Sequence, residues 1–354
     1  MLIQEILQKA VEKNVSDIFI IAGSPISFKI NGSVTQMDTN VIRPDEARTI
    51  IDEIYSLNKN RSFDRVNEMG DDDFSFSISG LGRFRASVYF QRGSLSAVLR
   101  FVKPDLPNPA ELSIPSTVIQ FSKLLKGLVL VTGSAGCGKS TTLACIIDEI
   151  NKTRKAHIVT IEDPIEYLHR HKQSIVSQRE IGNDARDYAQ ALRATLRQAP
   201  DVILVGEMRD YETIKIALSA AETGHLVLST LHTLGAAETI NRIIDVFPPE
   251  QQRQIQIQLS TVLQAIVSQQ LLPTVNDELI PAFEILLSSN AIRTQIRDGK
   301  TYQIDNYIAT GKQDGMISMD ESIYTLFKEG KISKETAITY AVNTEIMEKK
   351  IGKL

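Results

Sequence analysis

Gly133-Ser134-Ala135-Gly136-Cys137-Gly138-Lys139-Ser140 fits the spacing GxxxxGK[ST], with Thr141 next in line. A β-rich run, Leu128 to Val131, comes before it and a helix-like run, Thr141 to Ile150, after it. Residues of these types in this order suit phosphate chemistry. Glycines let successive backbone N–H groups curl around phosphate oxygens, and the helix N-terminus that follows adds its positive dipole end. The ammonium of Lys139 can neutralise β- and γ-phosphate charge, and the Ser140 hydroxyl can ligate Mg²⁺. The competing reading is a glycine-rich strand-to-helix turn with a stray lysine. The complete pattern and its two flanks favour the phosphate cradle, which says "nucleotide" and leaves its use open.

Other residues could act on such a nucleotide. DVILVGEMRD, Asp201 to Asp210, is an apolar run closing on Glu207, and TIEDPIEY supplies Glu162, Asp163 and Glu166 just past another apolar run. Ligands bind at strand carboxyl ends in an open α/β sheet, so these acids are expected near Lys139. A carboxylate there can orient water for in-line attack; the alternative for each acid is a solvated loop residue. TGHLVLSTLHT carries His225 and His232, two of the five histidines, each able to donate to a γ-phosphate or to sit satisfied in a core. Arg186, Arg193 and Arg197 form one stripe if their segment is helical, more simply a solvated face. Arg85 and Arg100 lie on the polar parities of two early strands and can reach a nucleotide only if their domain packs over a phosphate loop.

Two kinds of patterning must position these groups. Leu2, Ile3, Ile6, Leu7, Ala10 and Val11 recur at helical spacing, as do Ala47, Ile50, Ile51, Ile54 and Tyr55. SDIFIIAGSPISFKINGSV reads as two strands with an Asn31-Gly32 turn. Phe74, Phe76 and Ile78 alternate, and after Gly80 to Gly82 so do Phe84, Ala86, Val88 and Phe90: a hairpin with one buried face and Arg83 and Arg85 on the other. SLSAVLRFV is one more strand. Residues 1–103 are therefore expected to form a small α+β domain on an antiparallel sheet. The stretch 104–116 carries Pro104, Pro107, Pro109 and Pro115 and is expected to be a semi-stiff linker. From 117 to 354 the runs GLVLVTG, HIVTIEDP, DVILVGE and HLVLSTLH lack strict alternation and are separated by helical stretches. That is the signature of an α/β domain whose parallel sheet is buried on both faces. QQRQIQIQLSTVLQAIVSQQLL reads as one longer helix, LIPAFEILL as a late strand, and MDESIYTLFKEGKISKETAITYA as two helices joined at Gly330.

Composition excludes several classes. The 354 residues are 42% hydrophobic and 23% charged, enough apolar material for real cores. A net charge of −4 provides no global positive field for nucleic acid. The two cysteines, Cys137 and Cys145, form no CxxC pair, which argues against a disulfide framework or zinc module. The N-terminus lacks a basic-then-apolar signal pattern, and no apolar run approaches a membrane span. A cytoplasmic protein without direct membrane insertion is expected.

In combination, GSAGCGKSTT, TIEDPIEY, PDVILVGEMRDYET and TGHLVLSTLHT resemble the phosphate loop, Asp box, Walker B region and His box of the type II and type IV pilus secretion ATPases. AIRTQIRDGKTYQI, Ala291 to Ile304, is similar to a segment of the pilus retraction branch (the PilT type), and GRFRASVYF with AVLRFV resembles the family's arginine-bearing strands. The chain departs from the family's usual residues at Phe19 and Gln270, neither in the phosphate chemistry. The resemblance implies a PAS-like N-terminal domain followed by a RecA-like P-loop ATPase domain with C-terminal helices, ATP and Mg²⁺ as ligands, and a homohexameric ring. It implies that residues 133–141 bind the nucleotide and that Ser140 and Glu207 lie at the metal. It further implies Glu166 as general base, His232 as γ-phosphate sensor, and Arg85 and Arg100 as arginines approaching the nucleotide. The expected function is ATP-driven domain movement that powers pilus retraction and twitching motility. The work would be done against a pilus platform protein at the inner face of the cytoplasmic membrane. A pilus assembly or type II secretion ATPase is the alternative within the family, and a RecA-like nucleic-acid motor the alternative outside it.

Overall fold

The computed structural model describes residues 3–30, 32–58, 61–102 and 106–352. The expected turn residue Asn31 and linker residue Pro104 lie outside them. The chain divides into two units. One comprises Met1–Asp105 with Glu166–Leu168 and Gly182–Asp184; the other comprises Leu106–Ile165, His169–Ile181 and Ala185–Leu354.

The first unit runs α1 (Ile3–Glu12), β1 (Asp17–Ile21), β2 (Pro25–Ile30), β3 (Ser33–Val41), α2 (Pro44–Ser56), α3 (Asp64–Met69), β4 (Asp71–Ile78), β5 (Gly82–Gln91) and β6 (Ser94–Val102). Helix α1 buries Ile3, Ile6, Leu7 and Ala10, the stripe that its spacing dictates. The strands form one antiparallel sheet in the order β3-β2-β1-β6-β5-β4. The β4–β5 hairpin buries Phe74, Phe76, Phe84, Ala86 and Val88 as alternation predicts, with the Phe76 and Phe84 rings 5.6 Å apart across it. Phe90, on the same parity, is 41% exposed at the end of β5 where the buried face stops. β3 escapes the sequence reading because it is an edge strand with no residue fully buried, so no alternation marks it.

The second unit runs α4 (Ser116–Ile119), β7 (Gly127–Thr132), α5 (Lys139–Thr153), β8 (His157–Glu162), β9 (Ile175–Glu180), α6 (Tyr188–Thr195), β10 (Val202–Val205), α7 (Tyr211–Glu222), β11 (Leu226–Leu231), α8 (Ala236–Asp245), α9 (Pro249–Val262), β12 (Leu263–Pro273), β13 (Leu279–Leu287), α10 (Asn290–Arg297), α11 (Ile304–Thr310), α12 (Met319–Lys328), α13 (Lys334–Tyr340) and α14 (Thr344–Ile351). Its sheet has the order β13-β12-β7-β11-β10-β8-β9, parallel except for the β12–β13 pair. Successive residues of β7 serve different cores. Leu128 and Leu130 pack with Ala217 and Leu218 of α7 and Ile240 and Ile243 of α8. Val129 and Val131 pack with Leu143, Ile146 and Ile150 of α5. Both faces are covered, so every position of β7 is apolar or buried and alternation vanishes. The C-terminal helices close a further cluster in which Met319, Ile323, Ala337 and Met347 join Leu272 and Ala282.

One expectation fails here. The run read as a single long helix stops at Val262, and the chain continues as β12 beside β7, with Ala265 opposite Val129 and Val267 opposite Val131. A strand buried on both faces and a buried helix give the same continuous apolar run, and no glycine or proline separates Val262 from Leu263. The two helices expected on either side of Gly330 are α12 and α13.

Candidate functional site

Six parallel strands of the second unit bring their carboxyl ends to one edge, and the loops leaving β7, β8, β10 and β11 start there. The loop after β7 is shaped by its glycines. Gly133 has φ +142°, and a Cβ on it would come within 2.3 Å of the Gln269 carbonyl oxygen and 2.6 Å of Cys137 Sγ. Gly138 caps α5 in the left-handed region at φ 91°. Between them Ser134, Ala135 and Gly136 are exposed and Cys137 is buried. Lys139 opens α5; its ammonium, largely buried, donates to the carbonyls of Gly133 (2.8 Å) and Ser134 (2.7 Å). Ser140 is exposed and Thr141 half-buried on the first turn. A glycine-shaped bend ahead of a helix N-terminus fits a phosphate, and a hydroxyl at its rim fits a phosphate-bound cation.

Glu207 follows β10 by two residues. Gly206 is fixed by donation from its N–H to the Ile161 carbonyl (2.7 Å) and by the Thr230 hydroxyl on its own carbonyl (2.6 Å). A Cβ on Gly206 would lie 2.9 Å from the Tyr188 hydroxyl. The Glu207 side chain, only 15% exposed, takes Arg209 Nε at 2.7 Å on one oxygen and His232 Nε2 at 3.2 Å on the other. Asp210 then caps α7 by accepting from the Thr213 N–H (2.8 Å). His232 and Glu207 are thus brought together, and Arg209 joins them. His225 lies at the opposite, amino end of β11, its Nδ1 2.9 Å from the Ala220 carbonyl, and has a local role in closing α7.

Past β8, Glu162 accepts from the Thr160 hydroxyl (2.6 Å) and Gln178 Nε2 (3.2 Å). The buried Glu180 of β9 accepts from the Ile165 N–H (3.0 Å), pinning the loop that carries the acids. Tyr188 of α6 lies within the field of Asp163, Glu207 and Glu162; burial first, and then those three charges, push its phenol well above the usual range. The structure therefore brings Glu162, Asp163 and Glu207 around one half-buried tyrosine. Glu166 is exposed on the same loop and groups with the first unit. Of the arginine stripe only Arg193 is helical, and it pairs with Glu212; Arg186 precedes α6 and Arg197 follows it.

In the first unit Arg85 and Arg100 stand directly opposite each other on β5 and β6. Arg100 Nε bonds Asp17 Oδ1 at 2.8 Å, and Arg85 lies 3.8 Å from Asp73. These four side chains, with Ser87 and Val98, line a shallow cavity of about 230 Å³.

Three features of the nucleotide edge were not anticipated. Arg209 and Tyr188 declare themselves only through contacts, since each reads in sequence as an ordinary loop or helix residue. A cavity of about 370 Å³ opens beside the loop, lined by Ile114, Gly138, Thr141, Thr142, Gln269 and Ile280. It draws walls from a proline-rich run read as linker and from a strand read as helix, so neither suggested a pocket. Among the described residues no three histidine, cysteine or acidic side chains converge as a metal cage.

A family model described as type II/IV secretion system protein matches residues 1–303. The chain belongs to this family. Within it, the type IV pilus retraction ATPase PilT of Pseudomonas aeruginosa is 40% identical over 335 residues, covering 95% of this chain and 96% of that protein. The type IV pilus ATPase PilU of the same organism is 39% identical over 339 residues, covering 96% and 88%. A crystal structure of the pilus retraction motor PilT with bound ADP superposes with a TM-score of 0.90 at 44% identity, covering 99% of both chains. The two-unit α/β architecture is thus that of a secretion ATPase, a sheet domain followed by a nucleotide-binding domain.

Proposed function

We propose that this chain is the ATP-hydrolysing motor of type IV pilus retraction, acting as a homohexamer on a pilus platform protein at the inner face of the cytoplasmic membrane. The observation that carries the reading is the end-to-end similarity to retraction ATPases, joined to a phosphate loop in which Gly133 and Gly138 leave no room for a side chain. Residues 133–141 hold the phosphates, with Lys139 neutralising their charge. Ser140 and Glu207 would hold Mg²⁺, which when bound supplies further neutralisation of the β- and γ-phosphate oxygens. Glu166 is the base for the attacking water, His232 the group that reports the γ-phosphate, and Arg85 and Arg100 the cations that approach the nucleotide. The 370 Å³ cavity beside the loop suits the base and ribose. Phosphoryl transfer at such a site is positioning plus charge stabilisation, and hydrolysis would move the two domains relative to one another. No helix among the described residues is long and apolar enough to cross a membrane, so contact with the membrane would run through the partner.

The test is Mg²⁺-dependent ATP turnover by the purified chain, with Lys139→Ala and Glu166→Ala alongside. Undiminished rates in both variants would refute the assignment, and a monomer with and without ATP would refute the ring. Because PilU is nearly as similar as PilT, deletion in a piliated host separates roles. Retained pili without retractile movement support retraction; bald cells point to assembly.

A further inference from the structure

The phosphate loop is gripped from the side by a strand that belongs to no nucleotide motif. Gln269 of β12 is buried, and its amide makes one hydrogen bond to the loop and one to the helix behind it: Nε2 donates to the Cys137 carbonyl at 2.6 Å, and Oε1 accepts from the Thr142 hydroxyl at 2.8 Å. The amide's orientation is set by chemistry, since a backbone carbonyl can only accept. The same residue borders both ends of the loop. Its backbone oxygen is the atom that a Cβ on Gly133 would strike, and its Nε2 lies 2.9 Å from where a Cβ on Gly138 would stand. β12 is anchored independently by its ladder to β7, where Ser268 stands opposite Thr132, one residue before Gly133. Gln269 therefore spans from the first glycine to the first turn of α5.

From this geometry we infer that Gln269 is a positioning residue for nucleotide binding: through Cys137 and Thr142 it holds the phosphate loop in its binding shape. The inference rests on the nucleotide reading above and deepens it. The role needs an amide. A carboxylate would turn an acceptor toward the Cys137 carbonyl, and an apolar side chain of equal length would leave two buried polar groups unpaired. The hydroxyl partner must be Thr142, which is fully buried and faces Gln269 from the helix side. Lys139 is served by the same clamp, because its ammonium bonds the carbonyls of Gly133 and Ser134, which move with the loop.

The experiment uses the full chain and compares wild type, Lys139→Ala, Gln269→Met, Thr142→Val and the double variant Gln269→Met with Thr142→Val. A fluorescent ADP with Mg²⁺ reports the dissociation constant, and steady-state turnover separates KM from kcat. Gln269→Met is expected to raise the ADP dissociation constant and the ATP KM about ten-fold, the equivalent of losing a buried hydrogen bond or two. The kcat at saturating ATP should change far less, because bound nucleotide restores the loop. Thr142→Val should give a smaller loss, and the double variant should be no worse than Gln269→Met, since both act on one clamp. Unchanged nucleotide affinity in Gln269→Met, with only a lowered melting temperature, overturns the inference by showing a merely structural residue. If Gln269→Met does not fold, Thr142→Val decides, and wild-type affinity there overturns it equally. Wild-type binding that Lys139→Ala abolishes and the clamp variants leave intact sinks the clamp alone. No binding by wild type sinks the nucleotide reading with it.

Discussion

His232 Nε2 lies 3.2 Å from Glu207 Oε1, joining the carboxyl ends of two neighbouring strands, β11 and β10. The second oxygen of Glu207 is held by Arg209 at 2.7 Å, so the carboxylate is oriented from both sides while its side chain stays 85% covered. Such a group can steady a cation or a water only while its two partners keep it aimed. Glu207→Gln preserves shape but removes the charge and is expected to lower kcat about 10²-fold, leaving ADP affinity within a few-fold of wild type. His232→Gln should cost less, and the double variant should match Glu207→Gln, because the two act as a unit. Steady-state turnover with ADP titration checks this; additive losses would mean that the residues work independently.

The glycines of the loop predict opposite outcomes for one and the same substitution. Gly133→Ala drives a Cβ to 2.3 Å from the Gln269 carbonyl, backbone that cannot give way, in addition to adopting φ +142°. Gly136→Ala meets nothing within 4 Å and bears only the strain of φ +77°. Gly136→Ala is expected to cost about 1 kcal/mol and to bind nucleotide nearly as well. Gly133→Ala should cost more than about 4 kcal/mol, or fold with the loop displaced and binding lost. Denaturant unfolding with ADP titration tests the contrast; equal effects at the two positions would mean that β12 does not wall the loop.

The contrast also shows which parts of the site are legible in sequence and which are not. Residues 133–140 announce themselves because their glycines, lysine and serine recur at the spacing that a phosphate-binding turn and its charge require. Glu207 and His232 are readable as polar residues closing apolar runs, and parallel pairing does bring them together. Gln269 is hidden for a different reason: it sits on a strand buried on both faces that follows α9 without a break, so periodicity assigns the wrong element and hence the wrong direction for its side chain. Arg209 is hidden because a charged residue beside an acid is what any solvated loop contains; only the 2.7 Å contact distinguishes it. β3 is hidden because an exposed edge strand carries no hydrophobic alternation to detect.

Arg100 and Arg85 give a prediction in which stability and activity separate. Arg85 and Asp73 are 40% and 58% exposed, so their pairing is largely solvent-screened and contributes about 1 kcal/mol or less, whereas Arg100, 66% exposed, pairs with an Asp17 side chain only 8% exposed. Asp17 also keeps the Ser16 hydroxyl at 2.9 Å when Arg100 is removed. Arg85 and Arg100 stand opposite one another, so each removal also relieves a like-charge pair. Arg85→Ala is therefore expected to melt near wild type, and Arg100→Ala to melt lower than Arg85→Ala because it leaves the buried Asp17 carboxylate with the Ser16 hydroxyl alone. If these arginines reach the nucleotide, turnover should fall about 10²-fold in each. Near-normal turnover in the folded variants would remove both from the chemistry.

Cys145 makes stability depend on alkaline pH with a defined sign. Its thiol is buried on α5, donates weakly to the Pro107 carbonyl (3.5 Å), and is pushed up to about 11 by burial, with the Asp148 charge adding to it. The fold therefore favours the neutral thiol over the thiolate. A raised value contributes stability that is complete below the ordinary thiol value of 9.0 and is lost as pH rises through about 11. The unfolding free energy of wild type should accordingly fall toward that of Cys145→Ala across this window, the gap between them being constant below it. Comparing the two proteins cancels the lysines and tyrosines that titrate nearby. The same burial should make native Cys145 slow to alkylate at neutral pH and fast once the chain is unfolded. Rapid modification of the folded protein, or a gap that does not narrow above pH 9, would show that the thiol is open to solvent.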